Sequence, residues 1–117
     1  TSEMYFLKAE ALFLAHNELG AKEALIDVMS TRVSGYTTTK SGNDLLDEIR
    51  IQKRIETWGD GIRLFDMKWR GEALDRTTST NHNNTYTMKL SANPKDWVYQ
   101  IPQSELNAND EITSNNP

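Results

Sequence analysis

Apolar residues return at three- and four-residue steps through the first part of the chain and then lose that rhythm. Met4, Leu7, Ala11, Leu14 and Ala15 follow it and predict a helix over residues 3–19. Ala9 and Ala11 are small enough to let a second helix come close. Gly20 is placed to end this helix in a left-handed conformation. Ala24, Leu25, Val28 and Met29 form the next stripe and predict a helix over residues 21–33. Two helices joined by so short a turn must run roughly antiparallel. Residues 34–42 read as a loop, after which Asn43 or Asp44 can cap a third helix. That helix should reach about Trp58, with Leu45, Leu46, Ile49 and Ile55 facing the core. Gly59 and Gly61 interrupt it, and residues 62–69 predict a short fourth helix with Leu64, Phe65 and Trp69 inward.

From Gly71 onward Thr, Asn, Ser and charged residues dominate. Tyr86, Met88 and Leu90 alternate with Thr87 and Lys89, as in a half-buried strand. Residues 93–96 carry a turn signal, and Trp97–Ile101 is a candidate second strand stopped by Pro102. Ser104 can cap a helical turn over residues 105–107. The expected fold is therefore mostly α: tetratricopeptide-like antiparallel helix pairs over residues 1–70, then a polar, loop-rich extension over residues 71–117 that packs on the helices and holds at most one short β-hairpin. One helix pair of this kind cannot bury both of its faces, so such units stack.

Composition narrows the function. Net charge is −4 in 117 residues, and the basic cluster Arg50, Lys53 and Arg54 is offset by Asp47, Glu48 and Glu56. This argues against a nucleic-acid binder, and the cluster reads as a solvated helix face. The chain has no cysteine, hence no disulfide, thiolate zinc site or cysteine nucleophile. No apolar run approaches the ~18 residues of a membrane span. The chain does not begin with Met, and Thr1-Ser2-Glu3 leads straight into a helical pattern. We therefore expect a piece of a longer protein, with any targeting signal upstream.

Candidate chemistry centres on the turn Trp58-Gly59-Asp60-Gly61. Its Trp can stack on a sugar ring, and its glycines let a ligand approach the backbone. The blander expectation is that Trp58 is core and the glycines only separate two helices. Glu56, Asp60, Arg63 and Asp66 would then form a polar network, with the Arg63 fork holding a buried carboxylate. Glu56 with Asp60, or Asp60 with Asp66, has a separation that a glycosidase pair also shows, but neighbouring Arg54 and Arg63 favour ion pairing. No catalytic residue is assigned. His16 and His82 have no metal-ligand spacing, so no metal or cofactor is expected. Trp69, Trp97, Tyr36 and Tyr99 are further candidates for stacking. The Thr/Asn-rich stretch 77–87 can hydrogen-bond sugar hydroxyls or be a plain loop.

Three blocks together resemble the C-terminal region of the SusD/RagB family. Glu3-Met4-Tyr5-Phe6-Leu7-Lys8-Ala9-Glu10-Ala11, followed by Gly20, Ala24 and Arg32, is similar to a family helix of the form E-M-Y-L-x-x-A-E-A. Ile51 to Lys68, containing Arg54-Ile55-Glu56-Thr57-Trp58-Gly59-Asp60-Gly61-Ile62-Arg63 and Asp66, resembles R-x-x-E-L-x-x-E-G-x-R-x-x-D-L-x-R. Ile101-Pro102, Glu105-Leu106 and Asn109, ending Asn115-Asn116-Pro117, looks like I-P-x-x-E-L-x-x-N…Q-N-P. Asp60, Lys68 and Asn115 are mild departures. The resemblance implies a glycan-binding lipoprotein on the outer surface of the outer membrane. Such a protein captures oligosaccharide or polysaccharide, passes it to a TonB-dependent, SusC-like transporter, and catalyses nothing. Contact with the membrane would run only through an upstream lipid anchor. Family glycan contacts vary and lie largely upstream, so none is carried over. Glu56, Trp58, Gly59, Asp60, Gly61, Arg63 and Asp66 are expected to be a structural signature. The alternatives are a helical-repeat module for a protein partner and a fragment of a carbohydrate-active enzyme.

Overall fold

In the computed structural model of the chain, described for all residues except 82, 84, 86–88, 94–96 and 117, the elements run α1 (Ser2–Leu14), α2 (Glu18–Ser30), α3 (Gly42–Glu56), α4 (Ile62–Arg70), β1 (Leu74–Asp75), β2 (Lys89–Leu90) and α5 (Gln103–Ala108). The protein is mostly helical, with one small antiparallel sheet. It divides into two compact units, Thr1–Arg63 and Leu64–Pro117.

In the first unit α1 packs on α2 and α3. The core is Phe6, Ala9, Ala21, Ala24, Leu25, Val28, Met29, Leu45 and Ile49, with Leu12, Phe13 and Tyr36 against its edge. The α2 stripe Ala24, Leu25, Val28 and Met29 is buried as its spacing predicts. The α1 stripe is not. Met4, Leu7 and Leu14 are exposed, while Phe6, Ala9 and Glu10 face the core. Apolar residues ring α1 almost completely, so periodicity alone does not choose a face. The neighbours choose it, and Ala9 on the chosen face is fully buried.

The α1–α2 junction also departs from the expected arrangement. The left-handed residue is His16 (φ 61°), not Gly20. The His16 N–H donates to the Phe13 carbonyl and the Asn17 N–H to the Leu12 carbonyl, both at 2.9 Å. This is a Schellman ending. Asn17 then caps α2 by accepting from the Gly20 N–H at 3.0 Å. A Cβ on Gly20 would lie 2.9 Å from the Asn17 side chain. Gly20 therefore serves by leaving room for the cap inside α2, which starts three residues earlier than the stripe suggested.

On α3 the buried row is Leu45, Ile49 and Lys53. Lys53, expected on a solvated face, is 2% exposed, and Ile55, expected inside, is 61% exposed. Successive steps of four from Leu45 reach Lys53, whose aliphatic stem can occupy a core position. The helix is preceded by Ser41 rather than by Asn43 or Asp44, without a side-chain cap.

The second unit has little apolar interior. Met67 is its one buried hydrophobic among the described residues, whereas Leu64, Phe65 and Trp69, expected inward, are exposed. Gly71 ends α4: its N–H donates to the Lys68 carbonyl at 3.2 Å and the Glu72 N–H to the Met67 carbonyl at 2.9 Å. Leu90 belongs to a strand as its alternation predicts, while Tyr86, Thr87 and Met88 lie outside the described residues. The partner strand is not Trp97–Ile101 but β1, in the register Leu74↔Leu90 and Asp75↔Lys89. An Asp75–Lys89 ion pair at 3.2 Å crosses it. Ser104 lies inside α5, which starts after Pro102 without a side-chain cap.

Candidate functional site

Two arginine–carboxylate braces tie the helices of the first unit together. The Arg32 fork holds Glu56, with Nε donating to Oε2 at 3.2 Å and Nη2 to Oε1. Arg32 Nη2 also donates to Ser2 Oγ at 3.1 Å. Hydrogen bonds from Arg32 and then Ser2 hold the Glu56 carboxyl below the usual Glu value, and Glu56 in turn raises Arg32. Arg50 Nε donates to Glu10 Oε1 at 2.8 Å, with the Glu10 side chain only 5% exposed. Residues of the first sequence block thus bind residues of α3. Glu56 is held by Arg32, across 24 positions of the chain. Asp66 lies 3.8 Å from Arg70 Nη1 within α4. Arg63 is half-buried and lines a small 170 Å³ cleft with Asp47, Arg50, Ile51 and Arg54.

A second brace spans the 34–42 loop. Tyr36 donates to Glu48 Oε1 at 2.5 Å and Thr38 to Oε2 at 2.7 Å, with Lys40 Nζ at 3.8 Å. Burial works against the Glu48 charge, yet the Thr38 and Tyr36 hydrogen bonds and the Lys40 charge outweigh it and lower its pKa. Burial and then the Glu48 bond push the Tyr36 phenol well above its ordinary value. With its hydroxyl committed and its ring against the core, Tyr36 ties the loop to α3.

The Trp58 turn is where sequence and structure part most clearly. Trp58 is 86% exposed and is not core. The chain leaves α3 at Glu56, and Gly59 (φ 90°) and Gly61 (φ 75°) take conformations that side chains disfavour before α4 begins. Nothing lies within 4 Å of a Cβ built on either glycine. Such a turn cannot cover the indole, so it projects. Asp60 is exposed and its N–H donates to the Thr57 carbonyl at 3.1 Å.

The second unit offers an aromatic surface. Trp97, Val98 and Tyr99, with Leu64 and Leu90, line a shallow cavity of 180 Å³. The Trp97 indole N–H donates to the Ser91 carbonyl at 2.7 Å, which fixes the ring, and Tyr99 is 91% exposed. The chain end secures this segment. Asn115 accepts from the Ile101 N–H at 2.7 Å and donates to its carbonyl at 3.2 Å, as a neighbouring strand would. Asn116 donates to the Tyr99 carbonyl at 2.7 Å. The end of the third sequence block is therefore a clamp of amide side chains. Trp69 is exposed on α4. In the Thr/Asn-rich stretch, Asp75 accepts from the Thr77 hydroxyl at 2.6 Å and Asn83 from the Thr85 hydroxyl at 2.6 Å, both closing local turns. His82 is outside the described residues.

Among the described residues, no group of His, Cys, Asp or Glu is placed to hold a metal, and no helix is long and apolar enough to cross a membrane. The chain matches the SusD family over residues 1–117, its whole length, and belongs to that family. The family is carbohydrate-binding and non-enzymatic, and its members are typically surface-associated. No curated protein and no solved structure matches the chain.

Proposed function

We propose that the chain is part of a cell-surface lipoprotein that captures oligosaccharide or polysaccharide and delivers it to a TonB-dependent, SusC-like transporter in the outer membrane. In this reading it catalyses nothing, and a lipid anchor upstream of this chain holds it at the membrane. Residues 1–70 serve as a tetratricopeptide-like scaffold and transporter contact, and residues 71–117 as the loop-rich extension. Glu56, Gly59, Asp60, Gly61, Arg63 and Asp66 belong to the scaffold, and Trp58 projects from it.

The observation that carries the reading is an aromatic surface on a chain of this family: half-buried Trp97, pinned by Ser91, beside an almost fully exposed Tyr99. Aromatic faces held in place bind the apolar face of a sugar ring at small entropic cost. A glycan array probed with the full chain should give bound saccharides, and Trp97→Ala and Tyr99→Ala should each weaken the signal. An array without any signal would refute glycan capture. Co-purification with the transporter tests delivery, and a transporter complex that survives deletion of this region would remove the contact role. A helical-repeat module for a protein partner is favoured by one observation, the exposed Met4, Leu7 and Leu14 on α1. It is distinguished by protein capture without saccharide binding.

A further inference from the structure

The first unit also carries a polar concavity that the sequence did not single out. Ser2 and Tyr5 at the start of α1, with Asp27 and Val28 near the end of α2 and Thr31 just after it, line a cavity of 350 Å³. That volume falls within the ~300–1,000 Å³ typical of small-ligand sites.

Its polar groups are of two kinds. The hydroxyls of Ser2 and Thr31 are already held. Arg32 Nη2 donates to Ser2 at 3.1 Å and Nη1 to Thr31 at 3.2 Å, while the Thr31 hydroxyl donates to the Val28 carbonyl at 2.7 Å. Arg32 is fixed in turn by Glu56. The signature brace therefore also sets the rim of the cavity. The other two groups are uncommitted. The Asp27 carboxylate and the Tyr5 hydroxyl make no hydrogen bond or ion pair with any described residue, and Tyr5 is 47% exposed.

A carboxylate accepts hydrogen bonds at two oxygens and donates none, so it suits a ligand with two adjacent donors. A phenol ring beside it suits a ligand with an apolar face and a polar edge. A pyranose has both: neighbouring hydroxyls on its edge and C–H groups on its face. An anionic ligand is disfavoured by Asp27, and a lone carboxylate is too few ligands for a cation.

We propose that this cavity is a saccharide-binding subsite, in which Asp27 accepts two neighbouring hydroxyls of a neutral sugar ring and the Tyr5 ring stacks on its face. The proposal rests on the carbohydrate-binding reading above and assigns it residues in the first unit, away in sequence from Trp97 and Tyr99.

The test is a titration of the isotope-labelled full chain with methyl α-glucoside, methyl α-galactoside and methyl α-mannoside, followed by amide chemical shifts. At least one should move the amides of Tyr5, Asp27, Val28 and Thr31. Asp27→Asn, at an exposed helical position, should weaken that binding about ten-fold or more, since a hydrogen bond to a charged group is lost. Tyr5→Ala should weaken it similarly, and Tyr5→Phe should retain most of it. Circular dichroism of each variant checks that the helices persist. No shift at these amides, or binding that survives Asp27→Asn, overturns the subsite. Shifts confined to Trp97 and Tyr99 overturn it too while leaving glycan capture standing. A glycan array without signal removes both.

Discussion

The two units are held by different physics. Residues 1–63 gather nine buried apolar residues into one cluster and tie it with arginine–carboxylate braces. Residues 64–117 bury a single hydrophobic side chain among those described, and rely on amide and hydroxyl side chains bonded to nearby backbone. Burial stabilises in proportion to apolar area, whereas an exposed hydrogen bond exchanges one water partner for another. The first unit is therefore a scaffold by construction. The second can leave Tyr99 exposed and Trp97 half-buried because its shape does not depend on burying them.

The largest expected effect breaks the scaffold. Leu25 is fully buried at the centre of the cluster. Leu25→Ala should cost about 3 kcal/mol by denaturant unfolding of the full chain. Tyr99→Ala should change stability by less than about 0.5 kcal/mol. Equal losses would erase the contrast.

Next comes the brace between α1 and α3. Arg50→Ala leaves the almost buried Glu10 without its partner. Removing one member of a buried pair costs roughly 3–5 kcal/mol, and the partial exposure of Arg50 brings the expectation to about 2 kcal/mol. Arg50→Ala combined with Glu10→Gln should recover part of the loss. A single mutant as stable as the parent would show the pair to be idle.

A smaller effect sharpens the picture of the second unit. Asn115→Ala removes two hydrogen bonds to Ile101 and should cost about 1 kcal/mol locally. Hydrogen exchange at the Ile101 amide should speed up about five-fold or more. Unchanged exchange would mean that the chain end does not clamp the segment.

Acid provides the mildest probe. Glu48 and Glu56 titrate below their ordinary value of 4.5 in the fold. A lowered carboxylate pKa contributes stability above the unfolded value that is lost as pH falls through the folded one. The first unit should therefore weaken progressively below about pH 4.5, and Glu48→Gln should flatten that slope. In the second unit Asp75, held by Thr77 and then Lys89, titrates near 2, so the Asp75–Lys89 contact should persist to lower pH. Side-chain carboxyl shifts followed through a pH titration read both. Glu48 and Glu56 titrating at or above 4.5 would contradict the braces.

Much of this was legible in the sequence, and what was legible is local. The separation of α3 from α4 is written in Gly59 and Gly61, which take the left-handed region. The end of α4 is written in Gly71, and the α2 stripe in the spacing of Ala24, Leu25, Val28 and Met29. The three family blocks also stand in the right order in the sequence, and the family match covers the whole chain. What the sequence did not disclose depends on neighbours far along the chain. Apolar residues around α1 allow several buried faces, and α2 and α3 select the one with Phe6 and Ala9. Trp58 reads as a core residue by type, yet the glycine turn that carries it leaves it exposed. The structure pairs Glu56 with Arg32 across 24 positions and Glu10 with Arg50 across 40. Several acids and arginines in the sequence could have paired by charge alone. Turn chemistry acts within a few residues, so the sequence by itself determined which segments are helical and where glycines separate them. Burial and ion pairing act between helices, so only the tertiary structure decided which faces close and which aromatic rings stay open to a ligand.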